Sequence, residues 1–295
     1  MPIMYGKMNV DERYAPTFEP NLYLDTWLIP GVTYTDKYQI GPAGSVYVHK
    51  YKKATAITPG IPGRDFEHQL AEDELIPILM NNNFMTSRKL YGVQINAIEA
   101  NAAEALVADT TALVREGIAS SAIASLVTEG TALTDKTAIT ENNVRATLLA
   151  AQAELAGKGA SSATTALVSP TVYAHLMASM VGGFTPTAND EVVKTGIIRN
   201  YFGFDAIIRC PHLKAGSNVA YYNYAGTSKS VTGTTLGAVD FIIMNPQAFS
   251  VINNLEVYRI VDGGKDFNGI LAQAEVNTGF RVTNADLIHV HSHTA

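Results

Sequence analysis

The chain has 295 residues, a length that suits one large domain or two closely joined ones. Apolar residues make up 47% of it and charged residues only 16%, against roughly 25% in ordinary soluble domains. This composition excludes wholesale disorder, and it indicates either an unusually well filled core or a surface that other chains partly cover. The net charge of −6, with scattered basic residues, argues against a protein that binds nucleic acid through clustered Lys and Arg.

The first thirty residues are predicted to form an extended arm. Pro2, Pro16, Pro20 and Pro30 interrupt any long helix, although a short one around residues 22–28 is possible. The intervening residues are too apolar for a disordered tail, so the arm is expected to lie on the chain's own body or on an adjacent subunit. The start lacks the basic and apolar regions of a signal peptide, and no stretch approaches the ~20 apolar residues of a membrane span.

Residues 31–95 are predicted to form strands with turns. The β-rich stretch Thr33–Ile40 and the alternating stretch Ser45–Tyr51 flank a strong turn signal at residues 41–44, which indicates a hairpin. Residues 59–63 suit a mobile tip or a linker. Leu75–Met80 suit a returning strand, and Asn81–Asn83 suit a turn. Alternation places one face of the hairpin against a partner and the other in water.

The longest helix is predicted over residues 97–128. It is rich in alanine, its aliphatic side chains spread around the axis, and Gly130 ends it, so several neighbours should cover it. A second helix is predicted from Glu141 to Ala156, with Thr140 as its cap.

The rest of the chain alternates irregularly between strands and helices. A strand at Ala166–Val168 leads into a helix, Thr171–Met180, with Ser169 at the cap and Pro170 at the first position. Residues 192–200 suit a helical or mixed segment, and Gly203–Arg209 a turn into a strand. Further strands are predicted at Val219–Tyr224, Ala238–Asn245, Leu255–Val261, Gly269–Val282 and Ala285–His291. Without strict β-α-β alternation, this order predicts an α+β fold.

Several motifs, taken in order, resemble the major capsid proteins of tailed bacteriophages with the Hong Kong 97-type fold. The motifs are the strand, Ser-Pro turn and helix of residues 165–176, the "glycine, aliphatics, Gly-Phe, strand" passage of residues 196–208, the late strands 241–249 and 255–259, and the closing residues 279–290. Each motif is weak alone, but their order and spacing cover nearly the whole chain.

The resemblance implies an architecture and a set of partners. The parts are an N-terminal arm (1–30), an extended β-hairpin loop (31–95), a peripheral domain with a long spine helix (96–138 and 256–295) and an axial domain (139–255). Copies of the chain would form hexamers and pentamers, closed into an icosahedral shell around double-stranded DNA that the weakly acidic protein contacts non-specifically. A portal and, if the chain is complete, a separate scaffolding protein would assist. The shell would be assembled in the host cytoplasm and become part of the virion.

The most conspicuous candidate for chemistry is the trio His289, His291 and His293. Alternation puts them on one face of a strand, where imidazoles can bind zinc or nickel. The favoured interpretation is a polar face of the last strand, fraying at the C-terminus.

Four other features are also interpreted as structural. Residues 157–162 lack the spacing of a phosphate-binding loop and suit a helix end; residues 262–266 suit a tight turn; Glu72–Glu74 suit a solvated surface. The single cysteine, Cys210, suits a buried apolar position. The cluster of Lys50, Lys52 and Lys53 could in principle crosslink to an asparagine of a neighbour, but no feature identifies the carboxylate that this needs.

The sequence therefore predicts a shell protein that is not an enzyme and needs no cofactor or metal. The alternatives are the shell protein of a cellular, encapsulin-like nanocompartment and a metal-dependent hydrolase that uses the C-terminal histidines. If the arm only covers neighbours, removing residues 1–30 should abolish assembly and leave a folded body.

Overall fold

The structure is a computed structural model that describes residues 27–35, 45–51, 72–92, 102–159, 164–180, 197–201, 203–262 and 268–293. Four helices are present in these ranges: α1 (Ala102–Glu129), α2 (Val144–Gly157), α3 (Pro170–Met180) and α4 (Gly233–Ala238). The strands are β1 (Ser45–Tyr51), β2 (Asp73–Leu79), β3 (Asn82–Tyr91), β4 (Thr131–Ala132), β5 (Thr165–Val168), β6 (Ile197–Tyr201), β7 (Phe204–Arg209), β8 (Val219–Tyr222), β9 (Ser228–Val231), β10 (Val239–Met244), β11 (Phe249–Asp262), β12 (Gly269–Val282) and β13 (Ile288–Ser292). The predicted α+β class is confirmed.

A six-stranded mixed sheet, in the order β4-β13-β10-β5-β7-β6, lies at the centre of the second half. Its two middle strands, β10 and β5, are buried on both faces, which explains their continuous apolar sequences. Ile242 and Met244 face one core cluster, while Phe241 and Ile243 face another that includes residues of α2 and α3.

The second large unit pairs α1 with a three-stranded antiparallel sheet, in the order β11-β12-β3. Even-numbered residues of β12, such as Ala274, Val276 and Phe280, are buried in the cluster that contains the second half of α1. An ion pair between Arg88 of β3 and Asp109 adds a polar contact between sheet and helix. The long helix of the sequence analysis is thus confirmed and is covered by several elements.

The predicted end of α1 is also confirmed. The amide of Gly130 donates to the carbonyl of Leu126 at 2.9 Å. A Cβ at Gly130 would lie 2.9 Å from a methyl of Val290, so only glycine permits this close approach to β13.

The strand at residues 45–51 and its predicted returning strand are confirmed, whereas most of the predicted hairpin across residues 41–44 lies outside the described ranges. β1 pairs in antiparallel register with β2, the predicted returning strand, from Ser45 opposite Leu79 to Tyr51 opposite Asp73. Thr35 forms a single bridge to Ser250, while residues 36–44 and 59–63 lie outside the described ranges.

Three local predictions need correction. Thr140 is not the cap of the second helix: residues 140–143 form a turn, in which the side chain of Asn143 accepts a hydrogen bond from the Thr140 amide, and α2 begins at Val144. Residues 197–200 are a strand, since they pair with β7. Asn82 and Asn83 are not a turn, because they begin β3.

By contrast, the start of α3 agrees with the prediction. The hydroxyl of Ser169 accepts a hydrogen bond from the amide of Val172 at 3.3 Å, and Pro170 occupies the first turn.

Candidate functional site

The end of the predicted arm and the residues that follow it are anchored in the chain's own core. Trp27 is fully buried: its indole nitrogen donates to the carbonyl of Ala119 at 3.3 Å, and its ring stacks on Phe249. Thr165 donates to the carbonyl of Val32 at 2.6 Å, and the amide of Thr35 donates to the carbonyl of Phe249 at 2.9 Å. The sequence left open whether the arm lies on its own body or on a neighbour. Residues 27–35 lie on their own body, and residues 1–26 are outside the described ranges.

The β1–β2 hairpin has one apolar face buried and a second one exposed. Val46 and Ile78 pack with Met80 and Ile252 in a small cluster of their own. On the opposite face, Tyr47 is 59% exposed and Leu75 is 54% exposed. Because exposed apolar side chains of this size lie close together on a two-stranded sheet, this face has the character of a contact surface. We call Tyr47 and Leu75 the outer hairpin face.

Polar groups at the same hairpin add little to its stability. His49 and Asp73 form a hydrogen-bonded pair at 2.6 Å between Nδ1 and Oδ2, but both side chains are open to solvent. Glu72 and Glu74 are exposed, in agreement with the solvated surface predicted for residues 72–74. Lys50 donates to the backbone carbonyl of Thr283 at 3.1 Å, while Lys52 and Lys53 lie outside the described ranges.

The C-terminal histidines do not form the solvated, fraying face that the sequence predicts. His289 and His291 are 1% and 0% exposed, because β13 lies inside the six-stranded sheet between β4 and β10. The carboxylate of Asp240 forms hydrogen bonds with two of the three histidines, at 3.1 Å from Nδ1 of His291 and 3.0 Å from Nδ1 of His293. The ring of His291 also stacks on Phe241. The trio is therefore part of the sheet's packing, and Asp240 is a partner that a single sequence does not reveal.

Within the described ranges, no set of three or more His, Cys, Asp and Glu side chains is arranged to hold a metal ion. No helix among the described residues has the length and apolar character needed to cross a membrane.

Two glycine-containing segments were predicted to be structural, and the structure describes them in part. α2 ends at Gly157, and Gly159 follows it with a φ of +98°, a backbone conformation that suits glycine. The expected helix end is confirmed there, while residues 160–163 lie outside the description. Asp262 ends β11, and residues 263–267 of the predicted turn are likewise outside it.

Cys210 is fully buried in the main core, as predicted. Burial raises the pKa of its thiol to about 12, although backbone amides of His212 and Leu213 oppose this shift. Since only the thiolate attacks disulfide reagents, the folded protein is expected not to react with an aromatic disulfide at pH 8, whereas the unfolded protein should release one equivalent of thiol. Absorbance of the released thiol measures both. Fast reaction of the folded protein would contradict the burial of this residue.

No protein-family model matches the chain, and no curated protein matches it in sequence. Solved structures do match, with 15% identity or less in the three described here. A chain of Mycobacterium phage Che8 has 15% identity and a TM-score of 0.68, with 95% of this chain and 96% of that chain covered. The capsid structure of the cyanophage P-SCSP1u has 13% identity and a TM-score of 0.66, with 99% and 93% covered. A virus-like particle from Pyrococcus furiosus has 14% identity and a TM-score of 0.51, with 88% and 90% covered.

These similarities extend over almost the whole chain and concern its fold. The chain has the Hong Kong 97-type fold of tailed-phage capsid proteins, as the sequence motifs predict.

Proposed function

We propose that this chain is the major capsid protein of a tailed bacteriophage and assembles as hexamers and pentamers into an icosahedral shell around double-stranded DNA. The observation that carries the proposal is the shared fold, which covers 99% of this chain in the comparison with the cyanophage capsid. The outer hairpin face supports it, because a two-stranded sheet with apolar side chains on both faces needs a partner beyond its own body. Function here would be structural, without a cofactor or a reaction.

The fold divides into regions that would have different positions in such a shell. We propose an arm (1–30), an extended loop (31–95), a peripheral domain (96–138 and 256–295) and an axial domain (139–255). The packing of α1 on the β11-β12-β3 sheet supports a peripheral unit, and the six-stranded sheet with α2 and α3 supports an axial one. Residues 288–292 are an exception to these bounds: because β13 pairs with β10, we assign them to the axial sheet and not to the peripheral domain.

The expected partners follow from the same proposal. Other copies of this chain would contact the outer hairpin face, while a portal and a separate scaffolding protein would assist assembly in the host cytoplasm. The net charge of −6 disfavours tight binding of phosphates and is compatible with only weak, non-specific contact with the packaged DNA. The assembled protein would be part of the virion.

A cellular nanocompartment is the second candidate, and the similarity to the virus-like particle from Pyrococcus furiosus favours it. The contents of purified particles separate the two. Nuclease-resistant double-stranded DNA would support the capsid, whereas a protein cargo without DNA would support the nanocompartment. A metal-dependent hydrolase gains no support, because His289 and His291 are buried inside the six-stranded sheet, where a substrate would not reach them.

Substitutions on the outer hairpin face test the role of this surface in assembly. In the double variant Tyr47→Glu with Leu75→Glu, the yield of assembled particles is expected to fall about tenfold or more, since each contact that buries an apolar side chain contributes roughly 1.5–3 kcal/mol and is repeated in every subunit. The subunit itself should remain folded, because both side chains are exposed. Sedimentation velocity gives the yield, and circular dichroism checks the fold.

The matched control is Leu75→Met, which keeps an apolar side chain of similar size at the same place. It should assemble like the wild type. Wild-type assembly by the doubly charged variant would show that this face does not contact other copies.

A further inference from the structure

The end of β12 and the residue after it meet the hairpin at three alternate residues, Gly279, Arg281 and Thr283, which we call the hairpin seat. A Cβ at Gly279 would lie 2.8 Å from the carbonyl oxygen of Leu79, so the backbone of β2 runs directly against β12 there. Two residues later, a terminal nitrogen of Arg281 donates to the carbonyl of Pro77 at 2.7 Å. Next comes Thr283, whose carbonyl accepts the hydrogen bond from Lys50.

Arg281 is the member of the seat that joins separate parts of the fold. Its guanidinium lies 3.7 Å from the centre of the Tyr224 ring, just beyond β8, while it holds Pro77 of the hairpin. Glu129, at the end of α1, is close enough to interact electrostatically with it. The planar, permanently charged guanidinium can make both contacts at once, since its face stacks on a ring while its N–H groups donate hydrogen bonds in its own plane.

Among the described residues, the rest of the hairpin meets the body through a limited apolar contact. Val46 and Ile78 pack with Met80 and Ile252 in a small cluster that is separate from the two main cores, and Ile76 is buried beside them on the same face. A cleft of about 370 Å³ opens between the hairpin and the body, with Val48, Lys50 and Ala248 among its lining residues. The direction of the hairpin therefore depends on the few contacts at the seat.

We propose that Arg281 is a positioning residue that fixes the angle at which the β1–β2 hairpin leaves the body. Arg281 donates its hydrogen bond to a backbone carbonyl of the hairpin, so it positions the hairpin without depending on a hairpin side chain. The seat itself does not depend on the proposed function. Its consequence for assembly does, because only a shell would require the outer hairpin face to be presented at a fixed angle to a neighbour.

Amide hydrogen exchange in the unassembled subunit tests the seat. In Arg281→Met, the amides of β1 and β2 are expected to exchange about tenfold faster or more, while those of α1 keep their protection. The control is Arg259→Met, which removes an exposed arginine of the same three-stranded sheet whose partner is the side chain of Gln273 on the neighbouring strand. Equal exchange of the hairpin in both variants would overturn the proposal.

A second variant decides the matter if Arg281→Met fails to fold, which faster exchange throughout α1 would reveal. Tyr224→Leu removes only the ring beneath the guanidinium and should speed hairpin exchange by about threefold; no change would count against the seat. Assembly is scored separately. If a variant with a loosened hairpin forms normal shells, the seat positions the hairpin within the subunit but is not needed for assembly. If the wild type forms no shells, the proposed function is refuted, while the positioning role of Arg281 still stands.

Discussion

Replacement of Trp27 by alanine is expected to lower the free energy of unfolding by about 3–5 kcal/mol, the cost of removing a large aromatic side chain from a packed core. Trp27 is 0% exposed, stacks on Phe249 and donates to the Ala119 carbonyl. Trp27→Phe should lose only about 1–2 kcal/mol, because the ring contact remains and the hydrogen bond does not. Urea unfolding followed by circular dichroism gives these values.

Tyr222→Ala is the matched control, since this tyrosine is exposed and its substitution should cost about 0.5 kcal/mol or less. Trp27 is the chain's only tryptophan, so the fluorescence of the wild type reports this site alone. Its emission should shift to longer wavelength only when the core opens. A solvent-exposed spectrum from the folded protein, or a Trp27→Ala variant as stable as the control, would refute the anchored position.

The same observation reverses one expectation from the sequence. Removal of residues 1–30 would delete Trp27 and should destabilise the body, whereas removal of residues 1–26 retains it. A comparison of the two truncations by thermal unfolding thus separates the anchoring role of Trp27 from any role of the preceding residues in assembly.

Acid is expected to destabilise the fold through His212, with a loss of about 3 kcal/mol between pH 6.5 and pH 4. Burial, followed by repulsion from Lys214, lowers the pKa of His212 from 6.5 to about 4. As the pH falls below 6.5, His212 takes up a proton in the unfolded chain but not in the folded chain, which favours unfolding. The free energy of unfolding is therefore full above pH 6.5 and decreases steadily down to about pH 4, where the folded chain also takes up the proton. The ring's Nδ1 lies 3.1 Å from the hydroxyl of Ser120, so the neutral form has a partner.

Urea unfolding at a series of pH values measures this effect. His212→Gln should have a flatter stability profile over the same window, whereas the control His175→Gln, a half-buried residue of α3, should keep the wild-type slope. If His212→Gln retained the full slope, the acid sensitivity would have to come from other groups.

The sequence predicted those elements whose patterns are local. The strand, Ser169-Pro170 start and helix of residues 165–180 follow from capping chemistry and an apolar run. The bounds predicted for β12, Gly269–Val282, are those that the structure shows. β3 was missed because it is a polar edge strand whose pairing with β12 comes from a distant part of the chain.

The outer hairpin face could be predicted only in part. Alternation in residues 45–51 indicated a hairpin with two different faces, but both faces carry apolar residues, and only packing decides which one is free. Trp27, Asp240 and Arg281 owe their roles to partners 92, 51 and 204 residues away, and no local pattern encodes such separations. The alternation of the three histidines was visible, yet their burial depended on β13 joining the inside of a sheet.

Electron microscopy of the purified wild-type protein tests the central claim most directly. We expect closed shells, or sheets and tubes, built from hexameric and pentameric units of this chain, and particles isolated from an infected host should contain double-stranded DNA. A compact monomer at every protein and salt concentration, with no assembled particles, would contradict it.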